Sequence, residues 1–148
     1  MGARRKGREL AVQALYQLDV TGEASAAALR LFFDRADASV RAKEFAATLV
    51  DGVQAEQARL DELIGRASRN WRFERLSRVD LNVLRLATYE LAHTPHVPTS
   101  VVIDEAIEIA RRFGTHESAE FVNGILDQIA GELGVKEASR PRSERGDG

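Results

Sequence analysis

Apolar side chains recur at helical spacing along most of the chain, and they are densest between Ser77 and His93. On a helix of about 3.6 residues per turn, the apolar side chains of this stretch cover most of the circumference. The exceptions share one narrow strip, made of Arg78, Asn82, Arg85 and Tyr89. A helix that is apolar on most sides is normally buried by its neighbours. The pattern therefore predicts a central helix around which the rest of the chain packs.

The central helix carries its own start and stop signals. Ser77 offers a side-chain oxygen to the first free amides, and Asp80 places a carboxylate near the positive end of the helix dipole. Pro95 disfavours helix in Thr94 before it. Asp80 and Glu90 are the two charges that interrupt the apolar sector. We expect an arginine from another helix to hold Glu90, because an unpaired buried carboxylate is costly.

Helical periodicity predicts further elements on both sides of the central helix. They are a first helix ending at Thr21-Gly22, a second over 24–34, one continuous third helix over 40–67, a helix over 101–113 and a last helix from 117 or 118. No stretch shows the alternation of a strand. The fold class is therefore predicted as all-α, a bundle of six or seven helices.

Single residues refine this outline. Gly52 is predicted to mark a close backbone contact, and Gly114 to end its helix in a left-handed conformation. Glu108 is set to pair with Arg112 one turn later. The only tryptophan, Trp71, is predicted to plug a connector into the core.

Length and composition suggest one globular domain followed by a tail. The chain has 148 residues, of which 44% are hydrophobic and 30% charged, as in a soluble protein. We assign residues 1–135 to the domain. Residues 136–148 have no apolar face and are predicted to be disordered. No apolar run approaches the roughly eighteen residues of a membrane span, and no secretory signal is visible, so the expected compartment is the cytoplasm.

The search for catalytic chemistry is negative. Cysteine is absent, which excludes disulfides and thiolate chemistry. There is no phosphate loop, dinucleotide fingerprint, nucleophile elbow or zinc-protease motif. His93, His96 and His116 lack the spacing of metal ligands and are interpreted as surface or loop histidines. We predict no enzyme, no cofactor and no metal.

The strongest functional signal in the residues themselves is a cluster of four cations, Arg4, Arg5, Lys6 and Arg8, which runs into the first helix. The formal net charge is −2, so any site for a polyanion must be local. Cations beside an aromatic such as Tyr16 favour contacts to phosphates and unstacked bases. A solvated, frayed N-terminus explains the same cluster equally well.

Three segments of the chain are informative in combination: ARRKGRELAVQALYQLDVTG, NWRFERLSRVDLNVLRLATYELAHTPHVPTSVVIDEAIEIARRFG and ESAEFVNGILDQIA. Together they resemble the NusB family of bacterial transcription antitermination factors. The resemblance runs from about residue 3 to about residue 133, in order and at the family's spacing. It implies two three-helix-like halves that bind the boxA segment of ribosomal RNA leaders together with NusE, a small-subunit ribosomal protein, in an antitermination complex on RNA polymerase.

The resemblance also implies roles for individual residues. The positions that match RNA contacts are Arg4, Arg5, Lys6, Arg8 and Phe121, and those that match the NusE-facing side are Tyr16 and Asp80. Each of the last three has a second interpretation in the residues themselves. Phe121 is also at core spacing, Tyr16 could form the rim of the core, and Asp80 could serve only as part of the helix cap.

Two other classes of protein remain open. The same helical domain occurs attached to ribosomal-RNA cytosine methyltransferases, although 148 residues leave no room for the cofactor-binding domain. A purely protein-binding helical adaptor, or a homodimer, is the other. The sequence leaves the oligomeric state of the free protein undecided.

Overall fold

The computed structural model describes residues 2–22, 26–69 and 76–135, which form seven α-helices and no β-strand. The helices are α1 (Ala3–Thr21), α2 (Ala26–Arg35), α3 (Val40–Ala55), α4 (Gln57–Ala67), α5 (Arg78–His93), α6 (Thr99–Phe113) and α7 (Ser118–Leu133). The predicted all-α class is confirmed.

Helix α5 is the central helix that the apolar pattern predicts. It contacts α1, α3, α4, α6 and α7, and most of its residues are buried. The oxygen of the Ser77 side chain accepts a hydrogen bond from the amide of Asp80 at 3.0 Å, so the predicted cap is present. The helix ends at His93, and Thr94 is its C-cap, directly before Pro95.

The other helices form two groups on either side of α5. Helix α1 packs most extensively against α3, with α2 on its outer side, whereas α6 packs against α7 and α4 bridges α5 and α7. One apolar cluster runs through both groups, and its largest fully buried members are leucines and isoleucines. Burial of this shared cluster holds the two groups together.

The prediction of one continuous helix over 40–67 is wrong. The chain breaks at Glu56, whose φ of −119° and ψ of 18° lie outside the helical range. Helix α3 packs against α1, whereas α4 packs against α5 and α7. The break separates the helix that packs mainly on α1 from the helix that packs on α5 and α7. It falls in a stretch, residues 53–60, that contains neither proline nor glycine.

The structure explains two glycines by close contact. A Cβ on Gly52 would collide with the ring of Tyr89, which confirms the predicted close approach. The prediction for Gly114 is wrong, since its φ of −99° and ψ of −161° are extended rather than left-handed. A Cβ there would meet the Ser118 side chain and the carbonyl oxygen of Ala110, so crowding accounts for this glycine.

The predicted ion pair on α6 is also wrong. Glu108 accepts a hydrogen bond from Arg111 at 3.0 Å, three residues away. Arg112 instead reaches across to Glu9 on α1, again at 3.0 Å. Helix geometry allows Glu108 to pair with the residue three or four positions later. Arg111 is its partner here because Arg112 is paired with Glu9 of the neighbouring helix.

Two predictions lie outside the described residues. They are the placement of Trp71 in the core and the disorder of residues 136–148. Within the part of the chain that the structure describes, no helix is long and apolar enough to cross a membrane.

Candidate functional site

The four N-terminal cations lie on α1 itself, because the helix already begins at Ala3. Arg4, Arg5 and Lys6 are exposed, and we call these three residues the cationic edge. No acidic residue lies in the first turn, and no side chain caps it. The positive end of the helix dipole and the side-chain charges therefore reinforce each other, which favours a bound anion.

Arg5 is tied to α6 while its side chain stays 53% exposed. Its Nε and Nη2 donate to the two carboxylate oxygens of Glu105 at 3.1 and 2.9 Å. These hydrogen bonds, with the attraction between the charges, raise the pKa of Arg5 and lower the pKa of Glu105. The pair joins the first turn of α1 to the middle of α6.

Arg8 differs from the cationic edge, because it is only 5% exposed. Its Nε and Nη2 donate to both carboxylate oxygens of Glu90 on α5, at 2.8 and 2.9 Å. Burial alone would lower the pKa of Arg8, but the hydrogen bonds and charge of Glu90 raise it on balance. The expectation that an arginine from another helix holds Glu90 is confirmed.

An apolar groove runs along the opposite end of α1 and has a volume of about 580 Å³. Its lining comprises Val12, Gln13, Tyr16, Gln17, Val20, Thr21, Phe32, Val79 and Phe113. Tyr16 is 40% and Val20 56% exposed, which is high for large apolar side chains. The groove thus presents an aromatic ring and aliphatic side chains to a partner.

Asp80 follows Val79 of the apolar groove in the chain but is itself only 3% exposed. Its Oδ1 is buried and has no hydrogen-bond partner among the described residues. A buried carboxylate oxygen without a donor is unfavourable. The structure therefore brings Tyr16 and Val79, at the start of α5, to one groove, whereas Asp80 is buried and is not part of the groove lining.

Phe121 lies in the first turn of α7 and is half-buried. The Arg5–Glu105 and Glu9–Arg112 pairs show that α1 and α6 run in the same direction. The end of α6 that leads into α7 therefore lies beside the second turn of α1 or beyond it. Phe121 thus lies on α7, whereas the cationic edge lies on α1.

A polar network on α5 occupies the strip that interrupts its apolar surface. Arg78 donates to Asp19 of α1 at 2.7 Å, and Asn82 donates to the other oxygen of that carboxylate at 3.1 Å. Arg85 donates twice to Asp61 of α4, at 2.7 and 2.9 Å. The sequence predicts the strip, but its partners on two other helices follow only from the fold.

Two residues that contact the cationic edge, Glu105 and Phe45, are not evident from the sequence pattern. Phe45 is at core spacing in α3, which hides its contact with the arginines of α1. The signal that could have found Phe45 is Gly7, a glycine inside a helix among cations.

As for metals, the described ranges contain no group of three or more histidine, aspartate or glutamate side chains that could hold an ion.

The fold and these surfaces define an all-helical binding domain with an exposed cationic helix start and an apolar groove farther along the same helix. A family model described as the NusB family matches residues 5–131. The chain belongs to the NusB family.

Individual relatives match over most of their length. The chain is 48% identical over 134 residues to the transcription antitermination protein NusB of Myxococcus xanthus (strain DK1622), covering 88% of this chain and 96% of the relative. It is 46% identical over 145 residues to the protein of the same name from Geotalea uraniireducens (strain Rf4), covering 93% and 100%.

Solved structures share the fold. A structure of T. maritima NusB is 43% identical, superposes with a TM-score of 0.77 and covers 87% of this chain and 91% of its own. A crystal structure of the antitermination factors NusB and NusE in complex with dsRNA has a TM-score of 0.78 at 24% identity, covering 88% and 97%. At 24% identity, the second comparison shows only that the fold is shared.

Proposed function

We propose that this protein is a transcription antitermination factor that binds the boxA RNA of ribosomal RNA leaders together with NusE, as part of an antitermination complex on RNA polymerase. The observation that carries the proposal is the exposed cationic edge on a chain of the NusB family. We infer a binding role without catalysis, and the cytoplasm as its place of action. Two relatives are named transcription antitermination proteins, which supports both inferences.

The RNA contacts are proposed at Arg4, Arg5 and Lys6. Their exposed side chains stand on the positive end of a helix dipole, in a protein whose net charge is −2. Nucleic acid is therefore attracted to this edge rather than to the surface as a whole. Phe121, half-buried on α7, is proposed as a ring for an unstacked base.

For Arg8 we propose a different role from the one that the family resemblance implies. Nε and Nη2 of Arg8 both donate to Glu90, and the Arg8 side chain is buried. A phosphate could reach it only if the pair opened, at the cost of a buried carboxylate without a partner. We therefore propose that Arg8 supports the cationic edge from below.

The NusE surface is proposed at the apolar groove. Aromatic side chains at the centre of a concave surface are common interface hot spots, and Tyr16 fits that description. Oδ1 of Asp80 has no donor among the residues that the structure describes, and we propose that NusE supplies one on reaching the start of α5. This accounts for a carboxylate that capping of α5 leaves unsatisfied.

Binding of single-stranded boxA RNA, with and without NusE, tests the proposal. We expect weak binding by the protein alone and tighter binding by the heterodimer. A protein that binds NusE but no RNA would be an adaptor, and one that binds neither would contradict the proposal. Measurement by fluorescence anisotropy over a range of NusE concentrations separates these outcomes.

The partner surface has its own test. Tyr16→Ala and Asp80→Asn should each weaken NusE binding by more than they lower the melting temperature. Val101→Ala is a matched control, because Val101 is also 40% exposed but lies on α6 outside the groove. Wild-type affinity in both variants would assign Tyr16 and Asp80 to packing and capping. Self-association lost in Tyr16→Ala would instead identify the groove as a homodimer interface.

A further inference from the structure

Two arginines, one helical turn apart on α1, lie over the ring of Phe45 from α3. The guanidinium carbon of Arg4 is 4.7 Å and that of Arg8 5.5 Å from the ring centroid. Both distances are within the range of about 6 Å at which a cation is attracted to an aromatic face. Phe45 therefore connects an exposed member of the cationic edge to a buried arginine.

Gly7 permits this arrangement. A Cβ on Gly7 would lie 2.7 Å from Cδ2 of Phe45 and 3.0 Å from the carbonyl oxygen of Ala42. Only a residue without a side chain lets the ring lie this close to α1. Glycine is otherwise unfavourable inside a helix, so the contact explains its presence between the cations.

The ring of Phe45 also contacts Arg8, whose position is fixed by hydrogen bonds. Arg8 is held by two hydrogen bonds to Glu90, whereas Arg4 is exposed and has no carboxylate partner in the described part of the chain. A cation–π contact engages the positive charge of the guanidinium but does not use its N–H groups as hydrogen-bond donors, so these remain available to phosphate oxygens. A side chain that is already oriented loses less conformational freedom when it binds.

We propose that Phe45 is a positioning residue for RNA binding, which orients Arg4 toward the phosphate backbone without contacting the RNA itself. This inference rests on the proposed function. It adds to it a residue outside the cationic segment, on a different helix.

Titration of the full chain with single-stranded RNA containing boxA tests the role. Phe45→Leu, which keeps an apolar side chain but removes the ring, should bind about two- to five-fold more weakly than wild type. Phe45→Tyr keeps the aromatic face and should restore binding. Phe33→Leu is the matched control, since Phe33 is a half-buried ring on α2 and should leave the affinity unchanged.

A double-mutant cycle separates positioning from loss of packing. If Phe45 acts through Arg4, Arg4→Ala and the double variant Arg4→Ala/Phe45→Leu should bind RNA equally weakly. Losses that simply add would overturn the proposal. If Phe45→Leu does not fold, Phe45→Met replaces it, because methionine is a flexible apolar side chain that fills irregular space and has no aromatic face.

The outcomes also distinguish this inference from the proposed function. Wild-type affinity in Phe45→Leu or in Arg4→Ala would overturn the role of Phe45, while RNA binding by the wild-type chain would leave the proposed function standing. A wild-type chain that binds no boxA RNA would overturn both.

Discussion

The buried ion pair of Arg8 and Glu90 shows how one residue type serves two purposes on α1. Arg4 and Arg5 face solvent, yet Arg8, four residues after Arg4, is buried with its charge matched. The sequence indicates that Glu90 needs an arginine, because a lone carboxylate on a buried helix is costly. It does not indicate which arginine, since that depends on how α1 crosses α5.

Arg8→Ala should destabilise the protein by about 3–5 kcal/mol, because it leaves Glu90 buried without a partner. Urea unfolding followed by circular dichroism measures the change. Arg66→Ala is the control, since Arg66 and its partner Glu132 are 42% and 39% exposed, and such pairs contribute at most about 1 kcal/mol. Equal losses in the two variants would argue against a buried role for Arg8.

Gly52 and Gly65 give a second prediction for single residues. Gly52→Ala should destabilise by about 1–3 kcal/mol, because the added methyl group meets the Tyr89 ring. Gly65→Ala, on α4, meets no atom within 4 Å and should stabilise by about 0.5–1 kcal/mol through helix propensity. Thermal unfolding of both variants checks the opposite signs. A stable Gly52→Ala variant would show that Tyr89 has room to move.

For whole elements, the sequence predicts those parts that local chemistry decides. Ser77 and Pro95 determine the bounds of α5, and the apolar periods place α1, α6 and α7. The break at Glu56 is not predictable in this way, because its surroundings favour helix. It separates α3, which packs mainly against α1, from α4, which packs against α5 and α7. His93 at the end of α5 contacts the Glu56 carboxylate at 2.7 Å.

The link between α1 and α6 predicts a dependence on pH. Arg5 lowers the pKa of Glu105, so the pair stabilises the fold fully above the ordinary glutamate pKa of about 4.3. This stabilisation is lost as the pH falls through the lower folded-state pKa. Wild type should therefore exceed Glu105→Gln in melting temperature at neutral pH, and the difference should vanish in acid. A difference that does not change with pH would exclude the ion pair as its source.

At the scale of the whole molecule, the division of charge supports the proposed binding of RNA by a protein whose net charge is −2. Acidic partners neutralise Arg8 and Arg85, whose side chains are buried. Arg78 pairs with Asp19 at the surface, with its side chain 61% exposed. Arg4 and Lys6 have no acidic partner in the described ranges, and Arg5 stays half-exposed beside Glu105. The sequence gives the position of the cations but not this division, because burial depends on which helices meet.

The salt dependence of boxA RNA binding tests the central claim most directly. Each phosphate contact to a single strand contributes about 0.7 to the log–log slope, so Arg4, Arg5 and Lys6 should together contribute about 2. The triple variant Arg4→Ala/Arg5→Ala/Lys6→Ala should have a slope shallower by that amount. Arg30→Ala/Arg59→Ala/Arg66→Ala, with the same change in net charge on α2 and α4, should keep the wild-type slope. An unchanged slope in the first variant, or an equal decrease in both, would contradict the account.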